Sequence, residues 1–86
     1  MRFDVLVEVS LRPGIADPQG ATIERALPAL GFEGIEEVRV GKAIRFAVQA
    51  PDEDTAAAAA RQVSDRLLSN PVIEQCRISL SHAGAT

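Results

Sequence analysis

Between Arg2 and Arg12 the chain alternates almost without a break. Phe3, Val5, Val7, Val9 and Leu11 fall on one face; Arg2, Asp4, Glu8, Ser10 and Arg12 fall on the other, with Leu6 the exception. A period of two with β-branched residues predicts a strand that buries one face. Such a face needs a second layer to cover it. In a chain of 86 residues, that leaves one small two-layer domain. Pro13-Gly14 ends the strand.

The remaining segments supply the second layer. Asp17-Pro18-Gln19-Gly20 reads as a helix start, with Asp17 accepting from free amides and Pro18 in the first helical position. Ile23, Ala26, Leu27 and Leu30 follow at helical spacing, Pro28 predicts a kink or a loose last turn, and Gly31 a left-handed stop. Residues 35–49 form a second β region, with Val38, Val40, Ile44, Phe46 and Val48 in one parity. A two-residue hairpin at Gly41-Lys42 would mix the faces. One long strand bent at Gly41 keeps the pattern and is favoured; a three-residue hairpin over 41–43 stays open. Asp52-Glu53-Asp54 opens a second helix whose stripe is Ala56, Ala59, Ala60, Val63 and Leu67, with Arg61 and Asp65 spaced to pair. Asn70-Pro71 ends it, and a last strand runs from Val72 to Leu80 with Cys76, Ile78 and Leu80 inward. The expected fold is α+β, a two-layer sandwich. A small, mainly antiparallel sheet is backed by two helices in the order β-α-β-α-β, with a ferredoxin-like βαββαβ arrangement as the alternative. Residues 1–80 form a single domain and 81–86 a flexible C-terminal tail.

Composition excludes several functions. Twelve acidic residues against nine basic give a net charge of −3, and there is no Trp or Tyr. A nucleic-acid binder needs the opposite charge or exposed stacking aromatics, and anionic membranes disfavour the chain for the same reason. No run approaches the ~18 apolar residues of a membrane span, the N-terminus is unlike a signal peptide, and the default location is cytoplasmic. A lone Cys76 forms no internal disulfide and reads as a core thiol; a lone His82 reads as a solvated tail residue. Gly41-Lys42 is not a phosphate loop, because Glu36 and Ala43 stand where that motif needs Gly and Ser or Thr. Glu36 and Glu37 are neighbours on opposite strand faces and make no acid/base pair. No catalytic residue and no metal ligand set is proposed. Lys42 occupies an apolar position in the parity, where it snorkels or meets a partner's acid. The outer sheet face carries Leu6, Ala43, Ala47 and Ile73 among its charges, an expected oligomer contact.

Three motifs in this order resemble one family. Asp17-Pro18-Gln19-Gly20 follows a first strand, then come Val38-Arg39-Val40-Gly41-Lys42 and Leu67-Leu68-Ser69-Asn70-Pro71-Val72-Ile73-Glu74. Together, across residues 2–80, they are similar to PurS, the small subunit of phosphoribosylformylglycinamidine (FGAM) synthase in de novo purine synthesis. Pro28 within the first helix departs from the family's pattern. The resemblance implies that the complex converts formylglycinamide ribonucleotide, ATP and glutamine to FGAM. A glutaminase subunit releases ammonia, and a large synthetase subunit binds ATP and magnesium. The small subunit catalyses nothing and binds no cofactor. It bridges the other two, supports ammonia transfer, and forms a homodimer or dimer of dimers. Partner contacts are then expected at Asp17, Gln19, Gly20, Arg39, Gly41, Lys42, Asn70 and Glu74. Competing readings of the residues are a small-molecule-binding regulatory α+β dimer and a small stand-alone isomerase, for which no convergent polar residues are evident.

Overall fold

Every second residue of the first strand, β1 (Arg2–Leu11), is buried as far as Val9. Phe3, Val5, Val7 and Val9 are at most 3% exposed. The computed structural model describes residues 1–82. In it β1 is the middle of a three-stranded sheet of order β2-β1-β3, antiparallel to β2 (Lys42–Gln49) and β3 (Glu74–His82). The register aligns the apolar rows: Val7 lies between Ile44 and Ile78, and Val5 between Phe46 and Leu80. The chain order is β-α-β-α-β, with α1 at Pro18–Ala26 and α2 at Glu53–Val63.

Helix α2 covers this apolar face through its smallest side chains. Ala56 and Ala60 have no exposed surface: Ala60 joins the Val5, Val7 and Val9 cluster, and Ala56 joins Phe3 and Ala50. With only a methyl group between backbone and sheet, the helix sits close. Asp52 caps it, its Oδ1 accepting from the Thr55 amide at 2.7 Å. The Thr55 side chain, and then that bond, hold the Asp52 carboxyl below its ordinary range.

Beyond Val63 the helix widens into a π turn, Ser64–Leu68. A regular helix would carry the stripe from Ala60 to Val63 and Leu67. Ser64 follows Ala60 at the regular spacing of four, and the wider turn then brings Leu68 round in place of Leu67. Ser64 is fully buried, its hydroxyl donating to the Ala60 carbonyl at 2.8 Å, and Leu68 packs on the core. Val63 and Leu67 are 38% and 79% exposed. Leu68→Ala is therefore expected to cost about 2 kcal/mol in urea unfolding, and Leu67→Ala less than about 0.5 kcal/mol. The reverse ranking would restore the regular helix.

Three expectations change. The sheet is backed by one helix, not two: α1 buries only Gly20, and its main contact is the 3-10 turn Pro28–Leu30 that follows it, ended by Gly31 at φ 90°. Pro28 does break the helix, and Leu30 and Phe32 beyond it stay exposed. Second, residues 35–49 are neither one bent strand nor a hairpin. Strand β2 starts at Lys42, and Glu37, at φ 58°, interrupts any extended run before it. The described residues hold three strands, so the ferredoxin-like alternative is not formed. Third, β3 starts at Glu74 rather than Val72 and takes in Ser81 and His82 from the expected tail. The His82 ring stands edge-on to Phe3, centroids 5.2 Å apart. Residues 83–86 of the expected tail lie outside the described residues.

Candidate assembly surface

The arm between β1 and β2 is held by carboxylates in place of a strand partner. Asp17, at the start of α1, uses both oxygens. Oδ1 accepts from the Gly20 amide at 2.9 Å, and Oδ2 from the Val40 amide at 2.8 Å. Two turns on, Glu24 Oε1 accepts from the Val38 amide at 2.9 Å. Alternate amides of the 38–40 segment thus point at α1 and end on side chains that the helix presents on one face. Arg39 fastens the far side, with Nη2 donating to the Ile15 carbonyl at 3.2 Å and Nε standing 3.9 Å from Asp17. The Asp17 side chain is only 6% exposed. The Gly20 amide, then the Val40 amide and the Arg39 charge, hold its carboxyl below the ordinary value against the opposing effect of desolvation.

Two glycines permit this latch. A Cβ on Gly20 would overlap the Val38 carbonyl oxygen. One on Gly41 would lie 2.6 Å from the Val9 carbonyl oxygen, at the point where the arm rejoins the sheet. Asp17, Gly20, Arg39 and Gly41, each expected to touch a partner, are therefore first of all the residues that shape the arm. Glu24 is the member that the sequence did not mark; its only signal is its place one helical turn past Gly20.

The other expected contacts fall nearby. An open concavity is lined by Asp17, Gln19, Gly41, Lys42 and Glu74, together with Val9–Leu11, Pro18 and Val40. Gln19 and Lys42 are exposed within it. Glu74 also belongs to a local turn: its Oε1 accepts from the Asn70 amide at 2.7 Å, while Asn70 Oδ1 accepts from the Val72 amide at 3.1 Å. The fold thus gathers the 17–20 corner, the 39–42 segment and the entry to β3 at one end of the sheet.

The outer sheet face is more polar than the sequence suggests. Leu6 is half-buried between Arg45 and Ser79, Ala43 lies opposite Glu8, and Ala47 lies opposite Asp4. Ile73, just before β3, is 38% exposed. Larger apolar exposure lies on the arm, where Leu30, Phe32 and Ile35 are 70%, 54% and 47% exposed.

A three-stranded α+β unit with a carboxylate-anchored arm and open apolar surface defines a small assembly module. Comparison with known proteins identifies which one. The family model PurS, phosphoribosylformylglycinamidine (FGAM) synthase, matches residues 4–82. The chain is 42% identical to the PurS subunit of Methanothermobacter thermautotrophicus, over 94% of this chain and 95% of that one. It is 43% identical to that of Synechocystis, over 79% and 68% of the two chains. Among solved structures, PurS of Thermotoga maritima superposes with a TM-score of 0.86 at 30% identity, covering 94% of this chain and 93% of that one. A chain of the T. maritima PurLQS structure gives 0.87 at 30% identity, covering 94% and 99%. The chain belongs to the PurS family, the small subunit of FGAM synthase, an ATP-dependent glutamine amidotransferase ligase of purine biosynthesis.

Proposed function

We propose that this chain is the non-catalytic assembly subunit of its synthase, joining a glutaminase subunit to a large synthetase subunit and supporting ammonia transfer between them. The observation that carries this reading is the latch: Asp17 and Glu24 are spent on fixing an arm whose apolar side chains face outward. Ordering a chain segment costs conformational entropy, and an exposed apolar segment recovers it when something docks there. The T. maritima PurLQS structure, which contains a chain of this shape, supports the same assignment. On this reading ATP and magnesium bind on the synthetase partner, the chain acts in the cytoplasm, and it works as a homodimer or dimer of dimers. Among the described residues no helix is long and apolar enough to cross a membrane.

Reconstitution tests it. The isolated chain is expected to show neither glutaminase nor ATPase activity. Added to the two larger subunits, it is expected to raise glutamine-dependent FGAM formation at least tenfold, whereas formation from free ammonia needs it far less. An equal glutamine-dependent rate without the chain would defeat the assignment. Lys42→Glu inverts a charge in the concavity beside Asp17 and Glu74. It is expected to weaken co-elution with the larger subunits while the circular dichroism spectrum stays unchanged.

A further inference from the structure

Charge is divided unequally between the two sides of this chain. The outer face of the sheet presents Arg2, Asp4 and Glu8 on β1, Arg45 on β2 and Arg77 on β3, and Lys42 lines the same surface beside Glu8 and Arg77. These four bases and two acids leave the outer side two charges positive. The other five bases and ten acids, Asp52, Glu53, Asp54 and Asp65 around α2 among them, leave the rest of the chain five charges negative. The positive side is not neutralised from within. Arg2 is matched by Asp4 at 3.4 Å. Glu8 lies opposite Arg77 in the register, yet among the described residues Lys42, Arg45 and Arg77 make no ion pair within 4.0 Å. All three are exposed.

The shape of the face leaves these cations accessible. Their neighbours on the edge strands are short: Ala43 and Ala47 on β2, Ser79 and Ser81 on β3, all exposed. Two open concavities of about 600 and 520 Å³ follow one another along β1, the first lined by Lys42 and Arg77, the second by Arg45. We infer that the outer sheet face docks an acidic surface of a larger subunit of the synthase, whose carboxylates are taken by Lys42, Arg45 and Arg77. A second copy of the chain is a poor occupant. A two-fold contact would set this face against its own excess of positive charge, and its one large apolar side chain, Leu6, is half-buried. A nucleic acid is a poor occupant too, because the face carries no aromatic side chain for a base to stack on. The inference rests on the proposed assembly role for its partner. It replaces the expectation that Leu6, Ala43 and Ala47 join copies of the chain.

Opposite charges speed encounter and make it sensitive to salt. Association of the native chain with the larger subunits, followed by surface plasmon resonance, is expected to slow at least tenfold between about 0.05 and 0.5 M salt. Arg45→Glu with Arg77→Glu is expected to slow association at least tenfold at low salt and to flatten the salt dependence. Both side chains are exposed, so the circular dichroism spectrum and the mass of the isolated chain by light scattering should stay native. Arg45→Gln with Arg77→Gln should fall between. Four results would overturn the inference: a native association rate indifferent to salt, a Glu variant that binds as the native chain does, a changed mass of the isolated Glu variant, which would make the face a contact between copies, or tighter binding of the native chain to heparin than to the larger subunits. Glutamine-dependent synthesis with the native chain is scored separately. Native synthesis beside an unaffected Glu variant refutes the docking face alone; no gain in synthesis on adding the native chain refutes the assembly role.

Discussion

Asp17→Ala is expected to free the arm while leaving the sheet folded. The substitution removes at once the acceptor for the Gly20 amide, the acceptor for the Val40 amide and the counter-charge of Arg39. Glu24, through the Val38 amide, and the Arg39 bond to the Ile15 carbonyl then hold the 38–40 segment. Phe3, Val5, Val7 and Val9 pack against α2 and do not depend on Asp17. Hydrogen exchange is therefore expected to accelerate at least 100-fold at Gly20 and Val40 and to stay slow in β1. Binding to the larger subunits should fall at least tenfold, because the arm and the concavity lose their shape together. Asp17→Asn keeps the size but brings a single acceptor oxygen for two donors, and should fall between. The pH dependence has a fixed sign. The Asp17 carboxyl is held below its ordinary value of 3.8 by the Gly20 and Val40 amides. Its contribution is thus complete above the unfolded value and lost as pH falls through the folded one. The native latch should loosen only below about pH 4. Asp52 is lowered in the same way, so the difference between native protein and Asp17→Ala, not the native curve alone, isolates the latch. Equal exchange at Val40 in both proteins would show that Asp17 is no anchor.

The strand alternation of β1 was legible because its cause is local: each residue's face is set by its parity, and Val5, Val7 and Val9 needed no knowledge of the rest of the chain. The caps at Asp17 and Asp52 were legible for the same reason. What escaped was set by distant partners. Val38 and Val40 carry strand parity, but their amides are taken by Glu24 and Asp17, residues 14 and 23 positions earlier. The α2 stripe was read at one fixed period. The π turn changes that period from Ser64 on, so Leu68 replaces Leu67 at the core. The apolar face of α1 is real, yet periodicity says only that a face needs burial and not which molecule buries it. The candidate site was legible as positions, while the structural roles of those positions were not. Asp17, Gly20, Arg39 and Gly41 stood out in the motifs, and the fold uses them to shape the surface that Gln19 and Lys42 present.

Ala60→Leu is the substitution expected to reach furthest into the fold. Ala60 has no exposed surface and faces the Val5, Val7 and Val9 cluster at the centre of the sheet. Three extra carbons there have no cavity to enter, and α2 must lift off β1 to admit them. Overpacking of a filled core costs about 1–3 kcal/mol, occasionally more. Lifting α2 also opens the contact of Ala56 with Phe3 and exposes the buried Ser64 hydroxyl to water. A loss of about 3 kcal/mol, or on the order of 12–24 °C in Tm for a domain of this size, is expected. Ala59→Leu, one residue earlier on the same helix and only half-buried, is the control: it should shift Tm by no more than a few degrees. Leucine is nearly as good a helix former as alanine, so neither change acts through propensity. If the two variants melted together, the close approach of α2 through its alanines would not be what holds this sheet.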